Sequence, residues 1–455
     1  MRSAVFLVGV ALAMPVMAQS PVPPDDDIRA LLERRVNNER QGVGLVVGVV
    51  EPEGARVVSY GTLGVGDDRA VDGDTLYEIG SVNKVFTTLL LADAVERGEV
   101  RLDQPVAELL PEGVTMPERD GQEITLLDLA TYRSGLPRLP DNFDPRDIDD
   151  PYADYTADDL YAFLSDHELE RGIDESYEYS NLGVGLLGHV LALNAGTDYG
   201  TLLKERILDP LGMDDTMLVV PEDLSDRYAA GHDADLQPVD DWTWDVLAGA
   251  GALRSTVNDL DIFLSAVMGE TETDLAPAIA LATARHAEVG DGVTGMGLGW
   301  HITPLGDDEM VWHNGGTAGA RAFVGFLREA GAGVAVLSNV GTPHGVDDLG
   351  AHLLDNSIPL VVPPREAEVD PAVFVGLEGD YALSPDITIT VHAEDGELFA
   401  ALTGQEAARL YPTSETEYFY RIVDAQIAFE VDTDGKATGL TLYQFGMEME
   451  APMVE

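Results

Sequence analysis

The chain has 455 residues, of which 45% are hydrophobic and 7% aromatic, a composition typical of a globular protein of two or three domains. It carries 82 acidic residues against 26 basic ones, and a formal net charge of −56 excludes a nucleic-acid-binding protein. The absence of cysteine removes disulfides, thiolate nucleophiles and thiolate metal ligands. Because the acids are spread along the chain, we expect a solvated acidic surface and a dependence of folding and activity on salt.

The first 18 residues have the pattern of a secretory signal peptide. One arginine precedes an apolar stretch, and the small residues Val16 and Ala18 stand before a cut ahead of Gln19. Beyond them no apolar run approaches the about 18 residues that span a bilayer. We therefore predict a secreted or periplasmic protein with no membrane span.

The segments that follow predict an α/β fold. An amphipathic helix in "PDDDIRALLERRV" leads into "GVGLVVGVVEPEGARVVSYG", two apolar strands around a turn. Helical patterns dominate residues 81–300, and strand patterns return in "GLGWHITP", "EMVWHNGGTAG", "ARAFVGFLRE" and "GAGVAVLSNV". We expect one antiparallel sheet, begun by the first strands and completed by the late ones, with flanking helices and a helical subdomain inserted between them.

The end of the chain predicts a second, all-β domain. Proline-rich residues 359–373 are interpreted as a linker between a domain at 19–358 and one at 374–455. In the second domain, "DITITVHAEDGELFAAL" and "QIAFEVDTDGKATGLTLYQF" alternate apolar and polar residues around an Asp-Gly turn, which is a strong hairpin signal.

A serine and a lysine at the start of an apolar helix form the first candidate site. In "EIGSVNKVF", Ser81 and Lys84 are three residues apart and share a helix face. Burial lowers a lysine pKa, so Lys84 could take the proton of the serine hydroxyl. The spacing alone proves little, because Lys204 and Lys436 also follow a hydroxyl residue by three. Only Lys84 leads directly into a strongly apolar helix.

Two further segments strengthen this interpretation. In "YEYSNLGVGLLGHVL", Tyr179 and Asn181 precede another apolar helix, and a tyrosine whose pKa falls beside a positive charge could shuttle a proton. In "VWHNGGTAG", His313 ends an apolar strand and is followed by glycines that allow close approach to the backbone. Each segment also has a structural interpretation, as a helix cap or a buried histidine.

The three segments, in this order, resemble the signature motifs of the serine β-lactamase and penicillin-binding protein superfamily, in its class C-like branch. The accompanying "RGEVRLDQPV", "ITLLDLATYRSGLP" and "PLGMDDT" are similar to phrases found beside these motifs. The resemblance covers residues 27–355. The segments "LEGDYAL", "GELFAALTGQ" and "DGKATGL" resemble the small lipocalin-like β domain often appended to such hydrolases, for which we expect a packing role on the cleft.

The resemblance implies a role for each residue of the motifs. Ser81 would be the acyl-accepting nucleophile, and Lys84 and Tyr179 would handle its proton. Asn181, His313 and Gly315 would bind the substrate, with His313 beginning the third motif on the strand that lines the cleft. The backbone N–H groups of Ser81 and Gly316 would form the oxyanion hole. The implied site uses no metal and no cofactor.

The third motif departs from the β-lactamase pattern. His313-Asn314-Gly315 stands where these enzymes usually have Lys-Thr-Gly, so a fixed ammonium is replaced by an imidazole that is charged only when its pKa allows. We therefore do not expect strong β-lactam turnover. The same triplet occurs in some D-alanyl-D-alanine peptidases and esterase-like relatives.

Several functions stay open at this point. The first is an exported serine hydrolase of β-lactams, D-alanyl peptides or short esters, and the second is a penicillin-binding or sensing module that is acylated without turnover. A binding scaffold without catalysis is disfavoured by the intact motifs. A Ser-His-Asp triad stays open because its members can come from anywhere in a chain. The sequence predicts neither the oligomeric state nor the conformation of the loops at residues 137–160 and 220–245.

Overall fold

A computed structural model describes residues 20–454. The predicted signal peptide at residues 1–18 lies outside the described residues. Within residues 20–454, no helix has both the length and the apolar character needed to cross a membrane. The chain folds into an α/β part with one large sheet, followed by an antiparallel barrel.

The large sheet has eight antiparallel strands in the order β2-β1-β12-β11-β10-β9-β8-β7. As predicted, the first hairpin pairs with the late strands, since Leu45 on β1 lies opposite Ser338 on β12. Four shorter strands, β3 to β6, pair outside this sheet. The strands are β1 (Gly44–Glu51), β2 (Gly54–Gly61), β3 (Tyr77–Glu78), β4 (Glu118–Arg119), β5 (Gln122–Glu123), β6 (Arg254–Ser255), β7 (Ala287–Glu288), β8 (Gly295–Met296), β9 (His301–Leu305), β10 (Asp308–Gly316), β11 (Arg321–Leu327) and β12 (Ala332–Ser338).

Helices cover both faces of this sheet, and most of them lie between β2 and β7 in the chain, as predicted. They are α1 (Asp25–Asn37), α2 (Asn83–Glu96), α3 (Leu126–Ala130), α4 (Ala157–Asp166), α5 (Asn181–Ala195), α6 (Tyr199–Leu203), α7 (Asp209–Leu211), α8 (Val257–Val267), α9 (Ala276–Thr283) and α10 (Asp347–Leu354).

The continuous apolar run of β1 reflects burial on both faces of the sheet. Because side chains alternate along a strand, Val46 and Val50 join the core that contains α2 and α8. Leu45, Val47 and Val49 join the core under α1 and α10. The sheet is therefore the middle layer of three, with the larger helical layer on the side of residues 81–300.

The C-terminal domain is a nearly closed barrel of eight strands, each paired with the next in the chain. Its first and last strands meet where Tyr381 bridges to Met453, and its own apolar core fills the interior. Both hairpins predicted around Asp-Gly turns are present. The strands are β13 (Gly379–Ser384), β14 (Ile387–Glu394), β15 (Glu397–Leu402), β16 (Ala408–Pro412), β17 (Glu417–Phe419), β18 (Ala425–Val431), β19 (Ala437–Gln444) and β20 (Met447–Pro452).

Candidate active site

Ser81 lies in a single 3₁₀ turn, Gly80–Val82, immediately before α2. The turn is packed directly onto the end of β10. A Cβ built on Gly315 would stand 2.0 Å from the carbonyl oxygen of Ile79 and 3.0 Å from the backbone nitrogen of Ser81. Gly80 has a φ of +49°, and a Cβ built on it would stand 2.6 Å from the backbone nitrogen of Gly316. These glycines bring the serine turn into direct contact with the end of the strand.

Lys84 is completely buried and its ammonium lies beside the serine. Its Nζ donates hydrogen bonds to Ser81 Oγ at 2.8 Å, to Asn181 Oδ1 at 2.9 Å and to the carbonyl oxygen of Ala250 at 2.7 Å. Burial, reinforced by the positive charge of Arg138, holds the pKa of Lys84 well below its usual value. The lowered pKa agrees with the expectation from sequence and makes a neutral amine available next to Ser81.

The partners of Lys84 are fixed by a second layer of hydrogen bonds. Asn83 donates to Tyr199 Oη at 2.7 Å and to the carbonyl of Gly249, and accepts from the N–H of Leu253 at 3.0 Å. It thereby holds the segment whose Ala250 carbonyl receives the ammonium. Local sequence gives no sign of this contact, since Ala250 lies 166 residues after Lys84.

Asn181 lies at the start of α5, where Ser180 caps the helix by accepting from the N–H of Gly183. Both ends of the Asn181 amide are engaged within the protein. The oxygen accepts from Lys84, and Nδ2 donates to the hydroxyl of Tyr152 at 2.9 Å. Asn181 is buried, and in this structure its amide holds the ammonium in position.

Tyr179 faces the same pocket, with its ring centroid 4.9 Å from Lys84 Nζ. The sequence led us to expect a pKa lowered by the neighbouring positive charge. Instead burial raises the pKa of Tyr179 well above its usual value, and the opposing effects of Ser81 and Arg138 are smaller. Desolvation of the phenolate outweighs the nearby cations, so Tyr179 is a protonated hydroxyl at neutral pH.

His313 is fully buried behind the cleft. Its Nε2 lies 3.3 Å from the hydroxyl of Tyr132, and its Nδ1 lies 2.5 Å from the backbone oxygen of Asn314. Burial, followed by the proximity of His301 and Lys84, holds the pKa of His313 well below its usual value. The imidazole is therefore neutral at pH 7 and offers no fixed positive charge to a substrate.

The end of β10 forms one wall of an open cleft of about 500 Å³. The ladder between β9 and β10 ends at the pair His301 and Trp312, so β10 continues without this neighbour over Asn314, Gly315 and Gly316. Ser81 and Tyr179 line the cleft together with these three residues. The arrangement leaves backbone of the third motif facing the serine across a space large enough for a small molecule.

The cleft contains arginines although the chain is strongly acidic. Arg138 is exposed at its rim, stacks over the ring of Tyr179 at 5.1 Å and has no acidic partner within 4 Å among residues 20–454. Arg321 is half-buried, donates to the carbonyls of Thr317 and Thr342, and has its pKa lowered by desolvation to about 10. Asp347, which accepts a hydrogen bond from Asn314, has its pKa raised by burial to about 6.

The loops at residues 137–160 and 220–245, whose conformation the sequence did not predict, contribute aromatic and cationic residues to the site. Sequence reasoning did not identify these residues. Tyr152, which receives Asn181, stacks on Trp244 with ring centroids 3.9 Å apart. Arg138 comes from the first loop, and Trp242 from the second lines the cleft. The quoted "RSGLP" immediately precedes Arg138, but no pattern in the sequence indicates that this one arginine escapes pairing.

Comparisons with known proteins agree with this geometry. The family model described as Beta-lactamase matches residues 25–356, and a Domain of unknown function (DUF3471) matches residues 363–453. A beta-lactamase of Pseudomonas fluorescens is 27% identical over 364 residues, covering 72% of this chain and 98% of that protein. The D-alanyl-D-alanine-carboxypeptidase/endopeptidase AmpH of Escherichia coli is 26% identical over 372 residues, covering 76% of this chain and 95% of that protein.

Solved structures show the same fold. The crystal structure of a class C beta lactamase from Rhodobacter sphaeroides superposes with a TM-score of 0.63 at 25% identity, covering 73% of this chain and 97% of that one. Fold, site and matches together define a serine hydrolase. The chain belongs to the beta-lactamase family, and its barrel lies within the residues that the DUF3471 model matches.

Proposed function

We propose that this protein is exported and hydrolyses small amides or esters through an acyl-enzyme on Ser81. The observation that carries the proposal is the 2.8 Å contact between Lys84 Nζ and Ser81 Oγ, made by a lysine without solvent exposure and with a lowered pKa. A neutral amine at hydrogen-bond distance can accept the hydroxyl proton as Oγ attacks the substrate carbonyl. Export rests on the signal-peptide pattern of residues 1–18.

The remaining groups have complementary roles in this mechanism. The N–H groups of Ser81 and Gly316 would donate to the oxyanion as the tetrahedral intermediate forms. Tyr179, protonated because of its raised pKa, would donate its proton to the leaving group and recover the proton that Lys84 took from Ser81. A water molecule would then attack the acyl carbonyl, and its proton would return through Lys84 to Ser81 Oγ as the acyl group leaves. Asn181 would keep Lys84 aligned, because its amide oxygen is already hydrogen-bonded to Lys84 Nζ.

The charges around the cleft support a preference among substrates. His313 is buried and neutral, so it would not pair with a substrate carboxylate. Arg138 at the rim carries a charge, and no acidic partner lies within 4 Å of it in the described part of the chain. We propose that substrates with an acidic group bind through Arg138, and that esters and D-amino-acid peptides are turned over better than β-lactams.

The experiment that tests the reaction combines mass and turnover measurements. The protein would be mixed with a fluorescent penicillin for intact-mass analysis, and hydrolysis of nitrocefin and of p-nitrophenyl acetate would be followed in parallel. We expect ester turnover that is lost in Ser81→Ala and kept in Ser225→Ala, an exposed serine outside the cleft. A lasting penicillin adduct with no turnover of any substrate would instead identify a penicillin-binding module. Equal turnover by Ser81→Ala and wild type would contradict the proposed nucleophile.

A further inference from the structure

Glu78 takes no part in the proposed proton transfers, yet it lies three residues before Ser81 and is only 6% exposed. It belongs to β3, whose backbone pairs with β6 so that Glu78 lies opposite Arg254. The next residue continues this attachment, since the N–H of Ile79 donates to the carbonyl of Leu253 at 3.0 Å. The backbone that leads into the serine turn is therefore held by β6 and the residue before it.

The side chain of Glu78 reaches the segment that follows the third motif. Its Oε2 accepts a hydrogen bond of 2.6 Å from the hydroxyl of Thr317, which comes directly after Gly316 in the chain. Thr317 is 4% exposed, so water has little access to compete for this bond. One side-chain contact thus joins the segment of Ser81 to the segment of Gly316, which carry the two proposed donors of the oxyanion hole.

The other carboxylate oxygen of Glu78 is held just as closely. Oε1 accepts from Nη2 of Arg254 at 2.9 Å and from the backbone N–H of Trp242 at 3.0 Å. The same Nη2 donates to the backbone oxygen of Trp242 at 2.5 Å, and Trp242 lines the cleft. Because both oxygens of the carboxylate accept hydrogen bonds, the carboxylate cannot turn without breaking at least one of them.

The placement of Glu78 favours a role that acts through other residues. Glu78 does not line the cleft, and within residues 20–454 its carboxylate makes no hydrogen bond to Ser81, Lys84 or Tyr179. It therefore does not touch the reacting atoms.

We propose that Glu78 is a positioning residue, which holds the N–H groups of Ser81 and Gly316 at a fixed separation through its hydrogen bond to Thr317. This inference rests on the proposed reaction and its oxyanion hole. Both N–H groups must point at the same developing oxyanion, so a shift of either segment weakens a contact that is strongest in the transition state. Loss of the bridge should lower kcat and kcat/KM by similar factors.

Thr317→Val tests the bridge, because it removes the hydroxyl and keeps the shape of the side chain. We expect kcat and kcat/KM for p-nitrophenyl acetate to fall by about 10- to 100-fold. Phenylboronic acid, which forms a tetrahedral adduct with a serine hydroxyl, should bind more weakly by a similar factor. Thr317→Ser restores the hydroxyl and should recover most of the rate. Glu78→Asp keeps the charge beside Arg254 but shortens the side chain, and should lower kcat as well.

Thr216→Val is the matched control. Its hydroxyl also donates to a buried carboxylate, that of Asp259 at 2.7 Å, but neither residue lines the cleft. This variant should lower the melting temperature and leave kcat and the affinity for phenylboronic acid unchanged. Melting temperatures of all variants identify any that fails to fold.

The outcomes separate the bridge from the reaction itself. Wild-type kcat and boronate affinity in folded Thr317→Val would overturn the proposal, as would an equal loss in Thr317→Ser or in Thr216→Val. Turnover that persists in Ser81→Ala would instead contradict the proposed nucleophile. If the wild type were acylated by the fluorescent penicillin without turnover, the rate of acylation would be compared among the same variants, with the same expected order.

Discussion

The α-carbon of Gly315 lies against the carbonyl oxygen of Ile79 so closely that a Cβ there would be 2.0 Å from that oxygen. This contact sets the distance between the serine turn and the end of β10. In the sequence the glycine suggested room for a substrate to approach the backbone. In the folded protein Gly315 must lack a side chain because the carbonyl oxygen of Ile79 occupies the space where a Cβ would lie.

The first prediction concerns this contact. Gly315→Ala should lower kcat/KM for p-nitrophenyl acetate by about 100-fold or more, because the turn must shift and a displacement of about 1 Å misaligns a catalytic group. Gly64→Ala is the matched control, since its Cβ would meet Ala230 at an ordinary 3.4 Å. Equal activity of the two variants would show that the turn and β10 need not touch.

The second prediction concerns the proton acceptor. Since the pKa of Lys84 is lowered, kcat/KM should rise with pH as the amine loses its proton and then level off. Lys84→Arg keeps a positive charge but cannot release its proton near neutral pH, so the rate should fall by about 10²- to 10⁴-fold. A pH profile of Lys84→Arg with the wild-type shape and rate would contradict the assignment of Lys84.

The third prediction concerns substrate charge. Arg138→Gln should raise KM about fivefold for an ester with a free carboxylate and leave KM for p-nitrophenyl acetate unchanged, because one exposed charge-assisted contact contributes about 1 kcal/mol. Arg101→Gln carries the same charge change outside the cleft and should alter neither value. An equal loss with both esters would assign Arg138 a structural role.

The fourth prediction concerns a buried ion pair beside the site. Arg254 lies 2.9 Å from Glu78, whose other carboxylate oxygen accepts from Thr317 at 2.6 Å. Burial outweighs Arg254 and raises the pKa of Glu78. Arg254→Met leaves that carboxylate without its cation and should cost about 3–5 kcal/mol of unfolding free energy.

Urea denaturation measures this cost at pH 7 and constant salt. Arg409→Met is the matched control, since its exposed pair with Glu397 should contribute less than about 1 kcal/mol. If both variants lost the same free energy of unfolding, the buried pair would contribute no more to stability than the exposed pair.

The fifth prediction concerns Asp261, a core residue of α8 that is 4% exposed. Desolvation alone raises its pKa well above the usual value, so the folded state retains a proton that the unfolded state releases above about pH 4. Stability is lost as the pH rises from there towards the folded-state pKa. Asp261→Asn should therefore stabilise the protein at pH 8 and do so far less at pH 4.

Melting curves between pH 4 and pH 8 check this dependence. The variant Asp307→Asn, at an exposed turn, serves as the control for the loss of one formal charge. A gain that is the same at both ends of the range would show that the carboxyl of Asp261 is not the source.

Much of the fold was predictable because its signals are local. Three local signals each predicted elements of the fold: the short apolar run of β1, the two Asp-Gly hairpins of the barrel, and the apolar runs after Ser81 and Asn181. The sequence also predicted that the first hairpin joins the late strands in one sheet, because both sets of strands need hydrogen-bonding partners. The pairing of β1 with β12 confirms this prediction. The loops at 137–160 and 220–245 lack such periodicity, and they supply Tyr152 and Trp242.

The sequence by itself determined the proximity of Ser81 and Lys84, since three residues of helical backbone bring their side chains together, and it determined the two kinds of domain. Tertiary structure decided the protonation states. Desolvation depends on what surrounds a group, so burial raised the pKa of Tyr179 where a neighbouring cation alone would lower it. Tertiary structure also decided which arginines pair with acids, because ion pairing joins residues far apart in the chain. Among residues 20–454, Arg138 is one that has no acidic partner within 4 Å.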